Sequence, residues 1–117
     1  MSKKISSANK DFKSKEILDM LRENQNILEK YKVKRIGLFG SYAKGNQKRE
    51  SDIDLLVEFD MTAFDENFRG LFDIFMDLSS YLENLFGKKV DILTPVSVDS
   101  IRIKEVSDEI KRSVVYA

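Results

Sequence analysis

The sequence predicts a single α/β (α+β-like) domain, in which helices flank a small mixed β-sheet. Three observations lead to this prediction. The chain has 117 residues, enough for one hydrophobic core. Apolar residues alternate between helical spacing and short β-like runs. Finally, 42% apolar and 34% charged residues are typical of a soluble globular chain, and no apolar run approaches the ~20 residues of a membrane span.

The first half of the chain predicts one helix and two strands. Apolar residues recur at spacings of three, four and seven from Ser14 to Tyr31, which predicts an amphipathic helix with Ser14 as its N-cap. Val33–Phe39 and Ile53–Phe59 are rich in aliphatic residues and predict strands. The polar segment from Ser41 to Ser51 between them predicts a turn, with one helical turn opening at Ser41.

The second half predicts a long helix, a third strand, a last helix and a short final strand. The expected ranges are Phe64–Phe86, Lys89–Leu93, Asp99–Arg112 and Val114–Tyr116. The short turn makes strands one and two antiparallel, and the helical crossover allows strand three to lie parallel to strand two.

The apolar residues of the Phe64–Phe86 helix cover roughly 220° of its circumference, about twice the stripe of an ordinary surface helix. Such a helix can pack on the sheet and still expose part of Phe64, Phe68, Phe72 or Met76 to a partner. Alternatively, the last helix covers this second side.

Composition limits the chemistry that is open to the chain. There are no cysteines and no histidines, so catalysis must use carboxylates, hydroxyls, backbone amides and hard cations. Twenty basic residues balance 20 acidic residues, which makes direct nucleic-acid binding improbable. Residues 1–13 form a basic segment without an apolar run, expected to be a poorly ordered tail rather than a secretory signal, with residues 14–117 as the domain; the expected location is the cytoplasm.

Three acids are the candidate catalytic residues. Asp52 and Asp54 are separated by one residue at the start of a predicted strand, so both carboxylates point to the same side. Asp91 interrupts the apolar third strand and can join them if that strand lies alongside. Three hard oxygen ligands suit Mg²⁺, with two ions expected, or Mn²⁺, and such ions assist in-line phosphoryl displacement.

Gly40 and Ser41 end the first predicted strand close to these acids. A residue without a Cβ lets the backbone approach a phosphate, and a hydroxyl can donate to it. Amides of a helical turn opening at Ser41 would add to an anion site. Lys44, and also Lys48 or Arg49, could neutralise triphosphate charge, although loop lysines are more often solvated.

These motifs together resemble the minimal nucleotidyltransferases of the DNA polymerase β superfamily. The resemblance rests on Gly40–Gly45, on Ser51–Phe59 and on Val90–Pro95. It implies the polymerase β-type nucleotidyltransferase fold, with Asp52, Asp54 and Asp91 as metal ligands and catalytic residues, Asp91 also being a possible base. It further implies phosphate contacts by four residues: Gly40, Ser41, Lys44 and Ser51. Members often have arginine at the position of Lys44, and a lysine lacks the planar fork.

The resemblance also implies a reaction and a partner. Family members transfer a nucleoside monophosphate from a triphosphate to a hydroxyl, and some resemble antitoxins whose partner is a helical HEPN ribonuclease toxin. We therefore expect ATP as substrate and a tyrosine of such a toxin as the acceptor of AMP. Two alternatives are a non-catalytic antitoxin that occludes the toxin, and a small-molecule nucleotidyltransferase of the aminoglycoside-modifying kind.

Overall fold

The fold is known from a computed structural model that describes residues 12–67 and 69–117. Within these residues it contains six α-helices, one 3-10 turn and four strands. The helices are α1 (Ser14–Glu23), α2 (Gln25–Lys30), α3 (Gly40–Lys44), α4 (Leu71–Phe86), α5 (Pro95–Asp99) and α6 (Lys104–Ser113). The strands are β1 (Val33–Phe39), β2 (Ile53–Phe59), β3 (Val90–Leu93) and β4 (Val115–Tyr116), and the 3-10 turn is Met61–Ala63.

The four strands form one mixed sheet in the order β3-β2-β1-β4. β1 pairs antiparallel with both β2 and β4, and β2 pairs parallel with β3 across the α4 crossover. The predicted α/β class, the mixed sheet and both predicted strand orientations are therefore confirmed.

Two hydrophobic clusters lie on opposite faces of the sheet, as the alternation of neighbouring residues shows. Leu38, Leu55 and Val57 belong to the larger cluster, which α1, α2 and α4 cover, and we call this side the closed face. Phe39 and Leu56 belong to a smaller cluster with residues of α5 and α6. Asp54 and Asp91 alternate in step with this smaller cluster, so we call its side the acid-bearing face.

The predicted first helix is interrupted at Asn24. Its backbone N–H bonds the carbonyls of Met20 and Leu21, and its side-chain amide also donates to the Met20 carbonyl at 2.8 Å. A second short helix follows. The predicted N-cap is one residue too late, because Lys13 is the N-cap and its N–H bonds the Glu16 carboxylate at 2.8 Å.

The predicted Phe64–Phe86 helix is wrong at its start, because α4 begins only at Leu71. Gly70 precedes it with φ of 84°, in the left-handed region that interrupts a helix. Upstream, the Asp65 carboxylate accepts from the N–H groups of Asn67 and Arg69 at 3.0 and 3.2 Å. These local bonds hold a loop where apolar spacing alone predicted helix.

The predicted last helix, Asp99–Arg112, begins too early, because α6 starts only at Lys104 and Asp99 is the last residue of the separate short helix α5. Pro95 opens α5 as its first residue. The Thr94 hydroxyl caps this helix by accepting from the Ser97 N–H at 3.2 Å. The predicted final strand is present as Val115–Tyr116 and pairs with Gly37 and Leu38 of β1.

Much of the predicted N-terminal tail, residues 1–11, lies outside the described residues. Its next residue, Phe12, packs edge-on against Phe86 with ring centroids 6.0 Å apart. The Phe12 carbonyl also accepts a hydrogen bond from the Gln47 side chain at 3.0 Å. Among the described helices, none is long and apolar enough to cross a membrane.

The outer side of α4 carries exposed apolar residues, as one of the two sequence-based alternatives expects. Phe72 is 71% exposed and Met76 is 48% exposed, while Leu78, Leu82 and Phe86 face the core. The other alternative, in which the last helix covers this side of α4, does not describe the main contacts of α6. It packs mainly against α5 and α3 and contributes Ile110 to the cluster on the acid-bearing face.

Candidate functional site

The central acids lie in one row across the sheet. The strand register pairs Phe39, the last residue of β1, with Asp54 of β2, and pairs Asp54 with Asp91 of β3. Register partners point to the same face of a sheet. Asp52 lies two residues before Asp54, just ahead of β2. The structure thus brings Asp54 and Asp91 side by side, with Asp52 next to them.

Asp54 is the acid of the row whose charged form is destabilised by its surroundings. Its pKa is raised from 3.8 to about 6, mainly because the half-buried carboxylate is desolvated, and further because Asp91 and Asp52 repel its charge. Packing three carboxylates this closely is unfavourable unless a proton or a cation offsets their charge. The row is therefore a place where positive charge would bind favourably.

Gly40 lies directly against the Asp54 carboxylate. Its φ is 76°, in the left-handed region, and a Cβ at this position would overlap Asp54 Oδ2 and lie 3.0 Å from its Cγ. Glycine thus meets two requirements here, backbone conformation and space. Gly40 is also the first residue of α3, so the helical turn expected near Ser41 is present one residue earlier.

Ser41 and Ser51 both take part in the turn between β1 and β2, Ser41 through its backbone and Ser51 through its hydroxyl. Ser41 is the second residue of α3, partly exposed, and its backbone carbonyl closes the following turn by accepting from the Asn46 N–H at 3.1 Å. The Ser51 hydroxyl accepts a hydrogen bond from the Lys48 N–H at 2.8 Å. Ser51 therefore stabilises the turn before the acids, while a phosphate contact for either hydroxyl stays a prediction.

Lys44 forms an ion pair with α6 in this structure. Its ammonium lies 3.3 Å from Glu109 Oε2 of α6, and both side chains are almost half exposed. Hydrogen bonds from Arg112 and then from Lys44 hold the pKa of Glu109 below its ordinary value. Lys48 and Arg49, the other cations considered from the sequence, are exposed in the turn.

A pocket of about 310 Å³ opens beside Gly40, between the end of β1 and α6. Its walls combine apolar side chains with the Lys44–Glu109 pair, and its lining includes Phe39, Gly40, Lys44, Val106, Glu109 and Ile110. The volume falls at the lower end of the range of small-molecule sites. Sequence reasoning missed this pocket and Glu109, because α6 reaches Gly40 only through the tertiary fold.

Lys89 is a second residue that the sequence analysis did not single out. Its ammonium lies 3.4 Å from Asp91 Oδ1. The pKa of Lys89 is raised, first by its hydrogen bond to Asp91 and then by the charges of Asp91 and Asp52. Its position two residues before Asp91 was a usable signal, because residues i and i+2 of a strand share a face.

The donor set fits a hard divalent cation, although it is not closed around one. Within residues 12–67 and 69–117, no three acids converge tightly enough to form a ready-made metal site. Nevertheless, carboxylate oxygens are the ligands that Mg²⁺ prefers, and Mg²⁺ often takes one or two of them together with substrate phosphates and water. Asp54, Asp91 and Asp52 supply those oxygens, and the lack of a Gly40 side chain leaves room beside Asp54.

Comparison with known proteins gives the family. A model of the nucleotidyltransferase domain matches residues 14–117. A predicted protein adenylyltransferase of Methanocaldococcus jannaschii is 46% identical over 95 residues, which covers 80% of this chain and 90% of the relative. The protein adenylyltransferase MntA of Thermococcus cleftensis is 37% identical over 90 residues, covering 77% of this chain and 80% of that protein.

Solved structures agree at the level of the fold. A predicted minimal nucleotidyltransferase superposes with a TM-score of 0.65 at 22% identity, covering 90% of this chain and 96% of the other. A toxin–antitoxin crystal structure with AMP-PNP superposes with a TM-score of 0.51 at 25% identity, covering 90% of this chain and 72% of the other. The domain match and the relatives above show that the chain belongs to the nucleotidyltransferase domain family and is a nucleotidyltransferase enzyme.

Proposed function

We propose that this nucleotidyltransferase transfers AMP from ATP to a hydroxyl of a partner toxin and thereby acts as its antitoxin. The observation that carries the proposal is the row of Phe39, Asp54 and Asp91 across three strands, beside which Gly40 leaves a side-chain-free approach to the desolvated Asp54 carboxylate. The relatives support the class of reaction, because several bear the name protein adenylyltransferase. A structure neighbour is a toxin–antitoxin pair that contains an ATP analogue.

In the proposed reaction, the acceptor oxygen attacks the α-phosphorus of ATP. The bond between that phosphorus and the oxygen bridging to the β-phosphate breaks, and pyrophosphate leaves with the electron pair. The acceptor proton passes to the Asp91 carboxylate, which lies beside Asp54 in the register. The first amide N–H groups of α3, at Gly40 and Ser41, have no acceptor within their helix and can donate hydrogen bonds to phosphate oxygens.

Asp52 and Asp54, with Asp91, are the residues that would hold Mg²⁺ or Mn²⁺. When bound, such ions would neutralise the phosphates and stabilise the entering and leaving oxygens. The pocket between Gly40 and α6 is open on the acid-bearing face and has room for a nucleoside. Use of ATP also agrees with the cytoplasmic location that the sequence predicts.

The partner surface that we propose is the outer side of α4. Phe72 and Met76 are four residues apart and both exposed, so they form an apolar stripe on one side of the helix. An exposed stripe of this kind is typical of a protein contact. A helical HEPN toxin with an accepting tyrosine is the partner implied by the sequence resemblance, and it is part of this proposal.

The test is to co-express the chain with a candidate helical toxin, sought first in the adjacent open reading frames, and to measure the intact mass of that partner. We expect the partner to gain the mass of one adenylate, and Asp54→Asn to reduce the transfer rate at least about a hundredfold, because even outer-shell changes at metal sites cost 10–100-fold. Glu58→Gln is the matched control. It removes one carboxylate from the same strand and face, where Glu58 only pairs with Lys34 and Arg35 at the surface.

Two results would contradict the proposal. A partner of unchanged mass, still neutralised by the Asp54→Asn variant, would favour occlusion of the toxin. Transfer by the purified chain to a small hydroxyl compound, with none to the protein, would favour the small-molecule reaction.

A further inference from the structure

Two neighbouring lysines at the start of β3 point to different parts of the molecule. The Lys89 ammonium lies 3.4 Å from Asp91 Oδ1. The Lys88 ammonium instead donates a hydrogen bond to the Arg49 carbonyl at 2.8 Å, in the turn before β2. Two side chains of the same chemistry, one residue apart, therefore differ in whether they face the acids.

Lys89 provides the ion pair of the acid row. In the described part of the chain, the salt bridge that involves one of the three acids is the pair between Lys89 and Asp91. Lys44, the cation that the sequence favours as a phosphate contact, pairs instead with Glu109 of α6. The field of Asp52 also acts on the Lys89 ammonium, so this one cation is close to more than one carboxylate.

An ammonium in this position stabilises the acid row in the metal-free chain and opposes the binding of a divalent cation. In the metal-free chain it offsets the repulsion among three carboxylates. A divalent cation on Asp91 would repel it and take over the same oxygen. The side chains of Lys89 and Asp91 are 65% and 49% exposed, and exposed pairs are weak, so the ammonium can leave into water.

We propose that Lys89 is an internal counter-ion of the acid row, which occupies Asp91 in the metal-free chain and must be displaced when a divalent cation binds. The inference rests on the proposed function, since it takes Asp91 as a ligand. Lys89 is here a positioning residue rather than a catalytic one. It raises the divalent-cation concentration that is needed to fill the site, and it stabilises the folded metal-free chain by offsetting the repulsion among the acids.

The test measures Mn²⁺ binding to the full chain without nucleotide, from the electron paramagnetic resonance signal of free Mn²⁺. We expect Lys89→Gln to bind Mn²⁺ about two- to fivefold more tightly, which is the range of an exposed ion pair. Lys89→Arg keeps the charge and should bind like the wild type. Lys88→Gln removes the same charge from the adjacent residue and should also bind like the wild type, because Lys88 faces Arg49.

Thermal unfolding gives a second readout that does not involve activity. Without metal, Lys89→Gln should unfold at a lower temperature than the wild type, and saturating Mn²⁺ should remove the difference. Equal or weaker Mn²⁺ binding by Lys89→Gln would overturn the inference, as would an equal gain in Lys88→Gln. If Asp54→Asn binds Mn²⁺ as the wild type does, or if neither the wild type nor any variant binds it, the nucleotide-free metal site is absent and this inference falls, while the mass measurement on the partner still decides the proposed function. If the wild type binds Mn²⁺, Asp54→Asn abolishes that binding and Lys89→Gln leaves it unchanged, only the proposed role of Lys89 is overturned.

Discussion

The two faces of the sheet differ in what they bury: one carries the large apolar cluster, and the other carries the acids. On the closed face, Leu38, Leu55 and Val57 are fully buried beneath helices, within a large apolar cluster. On the acid-bearing face lie Asp54, which is next to Leu55 in β2, and Asp91 of the neighbouring β3, and the buried cluster is much smaller. One face holds the fold together, and the other keeps unfavourable charge where a reaction can use it.

The difference between the faces teaches where stability and chemistry oppose each other. Apolar burial on the closed face stabilises the fold in proportion to the area removed from water. The half-buried Asp54 works against folding, because its charge is desolvated and repelled by neighbouring acids. Changes on the acid-bearing face should therefore separate activity from stability, and the following predictions test that separation in order of decreasing effect.

The largest effect is expected for Gly40→Ala. The new Cβ would overlap Asp54 Oδ2, so the carboxylate must move, and a displacement of about 1 Å at a reacting group can cost a hundredfold in rate. The left-handed φ adds strain of about 1–2 kcal/mol. The transfer rate and the free energy of unfolding in urea are the two measurements.

Gly45→Ala is the matched control for that change. Gly45 has φ of 80°, close to that of Gly40, but a Cβ at this position would have no neighbour within 4 Å among the described residues. The variant should show the same strain of about 1–2 kcal/mol with nearly normal activity. Equal losses of activity in the two variants would mean that backbone strain, and not the contact with Asp54, explains the effect.

A smaller effect is expected from the ionisation of Asp54. Its folded pKa of about 6 lies above its ordinary value of 3.8, so the folded state binds more protons than the unfolded state between these values. Stability therefore falls as pH rises through this window, and the penalty is fully present above about pH 6. After allowance for solvent screening of a half-exposed group, the penalty is roughly 1 kcal/mol.

The measurement is urea unfolding of wild type and Asp54→Asn with a chelator, at about pH 4 and about pH 7. The variant should gain stability over the wild type on going to the higher pH, because it lacks the carboxylate that is destabilising there. A stability difference that does not change with pH would show that Asp54 ionises normally in the folded chain.

Sequence periodicity predicted the strands better than the helices. Short aliphatic runs such as Val33–Phe39 and Ile53–Phe59 have few alternatives, and the structure has both with these bounds. Helix ends depend instead on single local bonds that apolar spacing does not register. The Asp65 carboxylate is one example, because it accepts from the Asn67 N–H in a segment that was predicted to be continuous helix. The Thr94 hydroxyl is another, because it caps α5, a short helix that apolar spacing did not predict.

The acid row was predictable for a similar reason. Alternation places Asp52 and Asp54 on one side of a strand, and a parallel β3 brings Asp91 beside them. The sequence could not predict which acid each lysine side chain pairs with. Lys44 meets Glu109 only because α6 folds back against α3, a contact between distant parts of the chain that no local pattern encodes.

That contact gives the smallest and last prediction. If the phosphates of ATP compete with Glu109 for the Lys44 ammonium, removing either partner should change ATP affinity in opposite directions. Lys44→Gln should weaken ATP binding by about two- to fivefold, whereas Glu109→Gln should strengthen it by up to about fivefold, since the pair is exposed and weak. Lys44→Arg should bind at least as well as the wild type, because a guanidinium can hold a phosphate through two N–H groups. Titration of each variant with a non-hydrolysable ATP analogue measures these affinities. Weaker binding in both Lys44→Gln and Glu109→Gln would mean that the intact ion pair shapes the pocket, and that Lys44 is not released to the phosphates.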